Sequence, residues 1–203
     1  MKQRKDEQYY TKQPRSEPRL GIIRTHLRGR FFEFLTSASV FSKKRIDLGT
    51  RILIESMVLP EEGYVLDLGC GYGPVGIVAA VSNPNLHVVM VDVNERAVWL
   101  AKENVKRNSI ENIEVSCGFL YKPVEEMKFD AVLCNPPVSA GMQILLQIVF
   151  NAPRHLRDDG SFQLVVRSRI GSKRLQDELK KAFGNVKVLV RKSGYRVLLS
   201  KKP

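Results

Sequence analysis

From residue 64 onward, short apolar runs alternate with stretches of helical spacing. YVLDLG (64–69), HVVMVDV (87–93), NIEVSCG (112–118), FDAVLC (129–134) and SFQLVV (161–166) read as strands. PVGIVAAVS (74–82) reads as a helix with Pro74 suited to its first turn, where a missing N–H costs nothing. ERAVWLAKENVKRN (95–108) is a second helix, with Ala97, Val98, Ala101 and Val105 on its apolar side. Further helices are expected around 141–156 and 172–183. Strands alternating with helices predict an α/β fold, a mostly parallel sheet with helices on both faces. The chain ends differently: VKVLVRK and YRVLLSK are separated only by Ser193-Gly194, the signature of a two-residue antiparallel hairpin. Before the core, RFFEFLTSASVFS (30–42) reads as a hairpin around Thr-Ser-Ala-Ser. IDLGTRILIESMV (46–58) reads as a helix with Ile46, Thr50, Leu53 and Met57 on one face. Residues 1–20 are polar, with Pro14 and Pro18, as in a flexible arm. The expected organisation is a basic arm over 1–30 and a single domain over 31–203. Within that domain, 31–58 hold the hairpin and helix, and 64–203 the core.

Charge adds a partner to this outline. Lys and Arg total 33 against 21 acids, a net +12, and the excess is unevenly spread. Residues 1–30 carry nine basic and three acidic residues, 31–153 ten and fourteen, and 154–203 fourteen and four. Two basic ends around a mildly acidic middle suit a polyanion, because Lys and Arg displace the counterions condensed on a phosphate backbone. No apolar run reaches membrane-spanning length, and no hydrophobic stretch follows the N-terminal charges as in a secretory signal. A cytoplasmic protein is expected. Cys70, Cys117 and Cys134 form no C-x-x-C pair and the three histidines are scattered, so neither a zinc site nor a disulfide framework is expected.

LDLGCGYGPVG lies between the first core strand and its helix. Gly69, Gly71 and Gly73 permit a sharp turn and close approach of backbone to a ligand, beside a helix N-terminus. Asp67 precedes the first glycine by two residues, and Asp92 ends the next strand, where an acid can take both ribose hydroxyls of an adenosine. The spacing Gly71-x-Gly73-x-x-Gly76 also fits a dinucleotide loop. Asp67, however, would repel a pyrophosphate, which favours a cofactor with a cationic tail such as S-adenosylmethionine. A nicotinamide dehydrogenase would leave the next motif without a use.

That motif is Asn135-Pro136-Pro137, at the end of the fourth core strand. Neither proline has an N–H, so the corner offers the Asn135 and Pro136 carbonyls as acceptors on a rigid backbone. Such a corner suits a planar –NH₂ group. Two acceptors orient its hydrogens and aim the nitrogen lone pair at an electrophilic methyl, and they stabilise the positive charge that develops.

These motifs resemble the class I S-adenosylmethionine-dependent methyltransferases, most closely the RsmC-type small-subunit ribosomal RNA guanine-N2 enzymes in a short, archaeal-looking form. The resemblance rests on VFSKKRIDLGT (40–50), VLDLGCGYGPVGI (65–77), VDVNERAVWLAKEN (91–104), FDAVLCNPP (129–137) and SGYRVLLSKK (193–202). It implies a Rossmann-like fold, a seven-stranded mostly parallel sheet with a C-terminal antiparallel hairpin. It also implies Asp67, Gly69, Cys70 and Gly71 around the methionine part of S-adenosyl-L-methionine, Asp92 on the ribose and Val93 beside the adenine. Gly49 and Thr50 would close over the cofactor, and Asn135 and Pro136 would hold the acceptor amine. Phe119 stands where the family often has an acid near the adenine amino group, and is expected to pack on the ring. Val138 stands where amino-methyltransferases usually carry a stacking aromatic, so Phe41 or the Phe31–Phe32 pair is expected to hold the base instead. The implied activity is methylation of an exocyclic base amine in RNA, guanine N2 of small-subunit rRNA first and cytosine N4 or adenine N6 next. A protein glutamine N5-methyltransferase and a non-catalytic RNA-binding module are the other readings. A monomer acting on RNA or the ribosomal subunit is expected.

Overall fold

The alternation of strands and helices closes into a single seven-stranded sheet. The computed structural model describes residues 20–37, 45–136, 141–169 and 172–203. The sheet contains β3 (Gly63–Leu68), β4 (Leu86–Asp92), β5 (Ile113–Cys117), β6 (Phe129–Cys134), β7 (Leu156–Arg167), β8 (Lys187–Lys192) and β9 (Tyr195–Lys201). Their spatial order is β5-β4-β3-β6-β7-β9-β8, parallel from β5 through β7 and antiparallel where β9 meets β7 and β8. This is the Rossmann-like arrangement with a C-terminal hairpin that the sequence led us to expect. Ser193 (φ +48°) and Gly194 (φ +78°) make its two-residue turn, both left-handed as a tightly twisted hairpin requires.

Because strand side chains alternate, both faces of the sheet are apolar and each takes its own helices. Val65, Met90, Ala131, Leu133 and Val197 pack against α1 (Leu48–Ser56), α2 (Pro74–Ser82) and α3 (Glu95–Arg107). Leu66, Val91, Val132, Phe162 and Leu198 pack against α4 (Gly141–Asn151) and α5 (Ser172–Phe183). The face expected of α1 is the buried one: Ile46, Thr50, Leu53 and Met57 are all buried.

Three placements differ from expectation. The N-terminal hairpin is β1 (Leu20–Leu27) and β2 (Arg30–Ser37), so its first strand falls in the stretch read as an arm. Its turn is Arg28-Gly29, with φ +46° and +75°; of the expected Thr-Ser-Ala-Ser turn, Thr36 and Ser37 lie in β2, and the rest, with the piece expected after it, lies outside the described residues. An X-Gly pair between alternating apolar residues is itself a turn signal. The helix expected to reach residue 156 stops at Asn151, and a 3-10 turn (Ala152–His155) follows. Pro153 lacks the N–H that would continue the helical ladder. Finally, β7 begins at Leu156 rather than at residue 161, because polar Arg157-Asp158-Asp159 sits on a strand with a register shift opposite Phe129–Ala131.

Buried amides lock the outer pieces to the core. Asn104, fully buried on α3, accepts from Leu35 N (2.6 Å) and donates to Leu35 O and Tyr72 O (both 2.9 Å). It thus ties the hairpin to the glycine loop. Gln163 on β7 likewise accepts from Val58 N (2.9 Å) and donates to Val58 O (2.6 Å), fixing the chain beyond α1.

Candidate active site

Strands β3 and β6 are neighbours though not consecutive in sequence, so the crevice beyond their C-terminal ends lies at the point where strand order reverses. The glycine loop leaves β3 there and Asn135 leaves β6. Gly69 N and Cys70 N donate to Val91 O on β4 (2.8 and 3.0 Å), which holds the loop against the sheet. Gly71, at φ +59°, then turns its N–H onto Asp92 Oδ2 (2.8 Å). A side chain at Gly76 would place Cβ 2.5 Å from Met90 Sδ, so only glycine lets α2 pack this close to β4.

Asp67 is buried, and its Oδ2 accepts from Gly76 N (2.8 Å) in the first turn of α2. It thereby satisfies a helix-end N–H that Gly73, the residue before the helix, has no side chain to reach. Burial, opposed by that bond and reinforced by the nearby Asp92 charge, pushes the Asp67 carboxyl up to about 7. Among the described residues it has no cationic partner. Asp92, also buried, receives Gly71 N on one oxygen and Asn94 N on the other (2.9 Å). Burial raises its pKa, and the N–H groups of Asn94, Gly71 and Val93 pull the other way. Asn94 in turn caps α3 through Arg96 N and Ala97 N.

On the opposite wall, Asp47 caps α1 with its Oδ2, accepting from Thr50 N (3.1 Å) and Thr50 Oγ1 (3.5 Å). The same oxygen accepts from Asn135 Nδ2 (3.3 Å), which also meets Thr50 Oγ1 at 2.8 Å. A carboxylate only accepts, so it fixes which end of the Asn135 amide is the NH₂. The carbonyl end, Oδ1, is left for the crevice.

A small cavity brings together Thr50, Asp67, Gly69, Cys70, Gly71 and Asn135, all named from the sequence, with Tyr72, Pro74 and Val75, which were not. Asp92 stands behind it through Gly71. Gly49 does not line this cavity: it is the point where Tyr195 packs on α1, and a Cβ there would lie 2.9 Å from the Tyr195 ring. The ends of β4 and β5 adjoin where Gly118 N donates to Asp92 O (2.9 Å) and Cys117 Sγ lies 3.8 Å from Val93 O, but neither Val93 nor Phe119 lines the small cavity, and Phe119 lines a separate pocket with Leu120, Tyr121 and His155. Phe119 is 42% exposed. Pro136 is buried beside Asn135. Phe41, Pro137 and Val138 lie outside the described residues.

Of the Phe31–Phe32 pair expected to hold the base, Phe32 is not available for it. Phe32 is buried and stacked on Phe34, while Phe31 packs edge-on to His26. Both follow the Arg28-Gly29 turn, which is tied to Glu55 and Met57 at the far end of α1 from Asp47. Strand alternation sends Phe32 inward and leaves Phe31 exposed on the other face of the hairpin. Asp47 is the residue that sequence reading missed. Its signal was present as a helix-capping Asp three residues before Thr50.

A buried carboxylate without a cation, a loop that admits close approach and a strand-end acid together fit an amino-acid–nucleoside cofactor such as S-adenosyl-L-methionine. Comparison with known proteins agrees. The methyltransferase small domain family matches residues 32–199. The uncharacterized protein YbxB of Bacillus subtilis is 36% identical over 97% of this chain and 98% of its own length. Ribosomal RNA small subunit methyltransferase C of Photorhabdus laumondii is 31% identical over 80% of this chain, which spans only 48% of that protein. In fold, the chain superposes on the T. thermophilus 16S rRNA N2 methyltransferase RsmC, solved in complex with AdoMet and guanosine. The TM-score is 0.83 at 24% identity, over 94% of this chain and 52% of the other. The chain belongs to the methyltransferase small domain family of S-adenosylmethionine-dependent enzymes.

Proposed function

We propose that this protein transfers a methyl group from S-adenosyl-L-methionine to an exocyclic amine of a base in ribosomal RNA, most specifically guanine N2 of the small subunit. The observation that carries the reading is the fixed Asn135 amide, whose NH₂ is committed to Asp47 and Thr50 while its carbonyl is presented to the crevice. The cofactor supplies an electrophilic methyl. Asp67 would hold the cationic amino group and Asp92 the ribose hydroxyls, with Val93 and Phe119 toward the adenine. Asn135 Oδ1 and Pro136 O accept from the two hydrogens of the target amine and turn its lone pair toward the methyl. Once the nitrogen has attacked, the same acceptors stabilise its positive charge until the proton leaves to water. Buried groups in these positions need not carry a base of high pKa.

Ribosomal RNA is supported by the basic ends of the chain, by the family, and by the relatives that methylate rRNA in either subunit. No helix among the described residues is long and apolar enough to span a membrane; the reaction is placed in the cytoplasm, by a monomer, as part of the same proposal. The test is transfer of labelled methyl to small-subunit RNA stripped of modification. Label should appear with the wild-type protein, vanish on RNase treatment before precipitation, and be absent with Asn135→Ala. Label that survives RNase and falls to protease would assign a protein amide as acceptor instead.

A further inference from the structure

Beside Asp47, on the side away from the glycine loop, a wide cleft of about 940 Å³ opens between three elements. The chain entering α1 contributes Arg45 and α1 itself Arg51, the end of β7 and the turn after it contribute Arg167 and Arg169, and the start of β9 contributes Tyr195. Asp47 is the acid on this lining, and its Oδ2 is already engaged by Thr50 and Asn135. We propose that this cleft is the seat of the RNA strand that carries the target base. Its arginines would hold the phosphates flanking that base while the base itself reaches Asn135. The proposal rests on the reading that the substrate is RNA, and it names where that RNA is gripped.

The side chains are arranged for an anion. Arg51 is held in place by the hairpin, donating to His26 O (3.0 Å) and Thr25 Oγ1. Arg167 gives Nε to Tyr195 Oη (3.0 Å) and lies over the Tyr195 ring, its Cζ 5.6 Å from the centroid. Those contacts stiffen the side chain and use one of five N–H donors. Among the described residues, no carboxylate forms an ion pair with Arg51, Arg167 or Arg169. A folded protein that leaves several arginines facing one cleft without acids has a ready site for phosphates. Position supplies the second argument: the cleft shares Asp47 with the Asn135 amide, so a strand lying there has its bases within reach of the site. A base extruded from its stack needs its neighbouring phosphates held for as long as it is out.

The test is fluorescence anisotropy of a short labelled single-stranded RNA of mixed sequence, titrated with the full-length protein over a range of salt. Arg167→Ala with Arg169→Ala should weaken binding about tenfold and flatten the salt slope by about 1.4, that is about 0.7 for each lost phosphate contact. Lys187→Ala with Lys201→Ala removes the same charge from the opposite end of the β8–β9 hairpin and should leave both quantities close to wild type. Arg169→Glu alone, which disturbs no contact of Arg167, should weaken binding at least as much as the double variant. S-adenosylmethionine affinity, read by calorimetry, should be unchanged throughout. Wild-type RNA affinity in the cleft variants, or equal losses in the lysine pair, would overturn the proposal. So would loss of binding to polyglutamate but not to RNA, which would assign the cleft to an acidic protein. A wild-type protein that binds the cofactor but no RNA would instead sink the RNA reading itself.

Discussion

The glycine-loop side of the crevice and its arginine side meet at Asn135, and they are built from opposite materials. Around Asp67 and Asp92 the crevice is built of buried carboxylates and backbone N–H groups, held by short bonds to Gly71, Gly76 and Asn94. Around Arg167 and Arg169 they are long cationic side chains on the surface. The first side is rigid, desolvated and anionic, suited to one small cationic ligand. The second is open and cationic, suited to a solvated polyanion whose grip falls with salt. Only the junction, Asp47–Thr50–Asn135, requires both sides to be in register.

This contrast breaks most sharply at the junction. Asn135→Ala should lower methyl transfer by about 10²–10³-fold, the usual loss when one preorganised group for developing charge is removed. Cofactor binding should be nearly unchanged, as calorimetry would read. A comparable loss of cofactor affinity would instead put Asn135 in the cofactor site.

Asp67→Asn should trade stability against binding. Burial lifts the folded-state carboxyl from its ordinary 3.8 to about 7, so the folded chain keeps this proton where the unfolded chain has released it. Wild-type stability therefore falls as pH rises from about 4 to about 7, and the penalty is complete above that window. Asparagine removes the penalty. The gain, at most about 4 kcal/mol, should be greatest near pH 8, fade toward pH 4, and appear as a Tm higher by several degrees. S-adenosylmethionine affinity should drop by about tenfold or more at pH 8, the scale of a lost charge-assisted bond. In the wild type it should weaken as pH falls through about 7, while the Asn variant should show a flat profile.

A third, smaller effect separates positioning from chemistry. Asp47→Asn gives the Asn135 amide a neighbour that can donate as well as accept, so the amide loses its fixed orientation. kcat should fall about tenfold, the scale of one lost orienting bond, with cofactor affinity preserved. Thr50→Val should fall by less, because Asp47 still accepts from the amide. Away from the crevice, Asn104→Leu should cost about 2–4 kcal/mol by stranding Leu35 and Tyr72 groups, measured by urea denaturation.

The difference between the two sides also decides what the sequence could reveal. Gly69, Gly71, Asp67 and Asp92 were legible because strand-loop-helix geometry ties them to fixed positions along the chain. The Ser193-Gly194 turn and the alternation of strands and helices followed from the same local rules. Asp47 and Asn104 were not legible as partners of Asn135 and Leu35, since those contacts join residues 88 and 69 positions apart. The arginine cleft was legible only as a basic C-terminal quarter. Which of those charges share a cleft is set by how β7, β9 and α1 come together. Phe32 shows the converse error: aromatic character suggested a stacking role, and strand alternation buried the ring.

The central claim is that the corner at Asn135 selects an exocyclic amine. Mass spectrometry of the nucleosides released from small-subunit RNA, after incubation with the protein and isotopically labelled S-adenosylmethionine, tests it most directly. The account predicts the label on an exocyclic nitrogen, N2-methylguanosine first, and its disappearance with Asn135→Ala. Label on a ring carbon, a ring nitrogen or a ribose 2′-oxygen, or label unchanged in that variant, would contradict it.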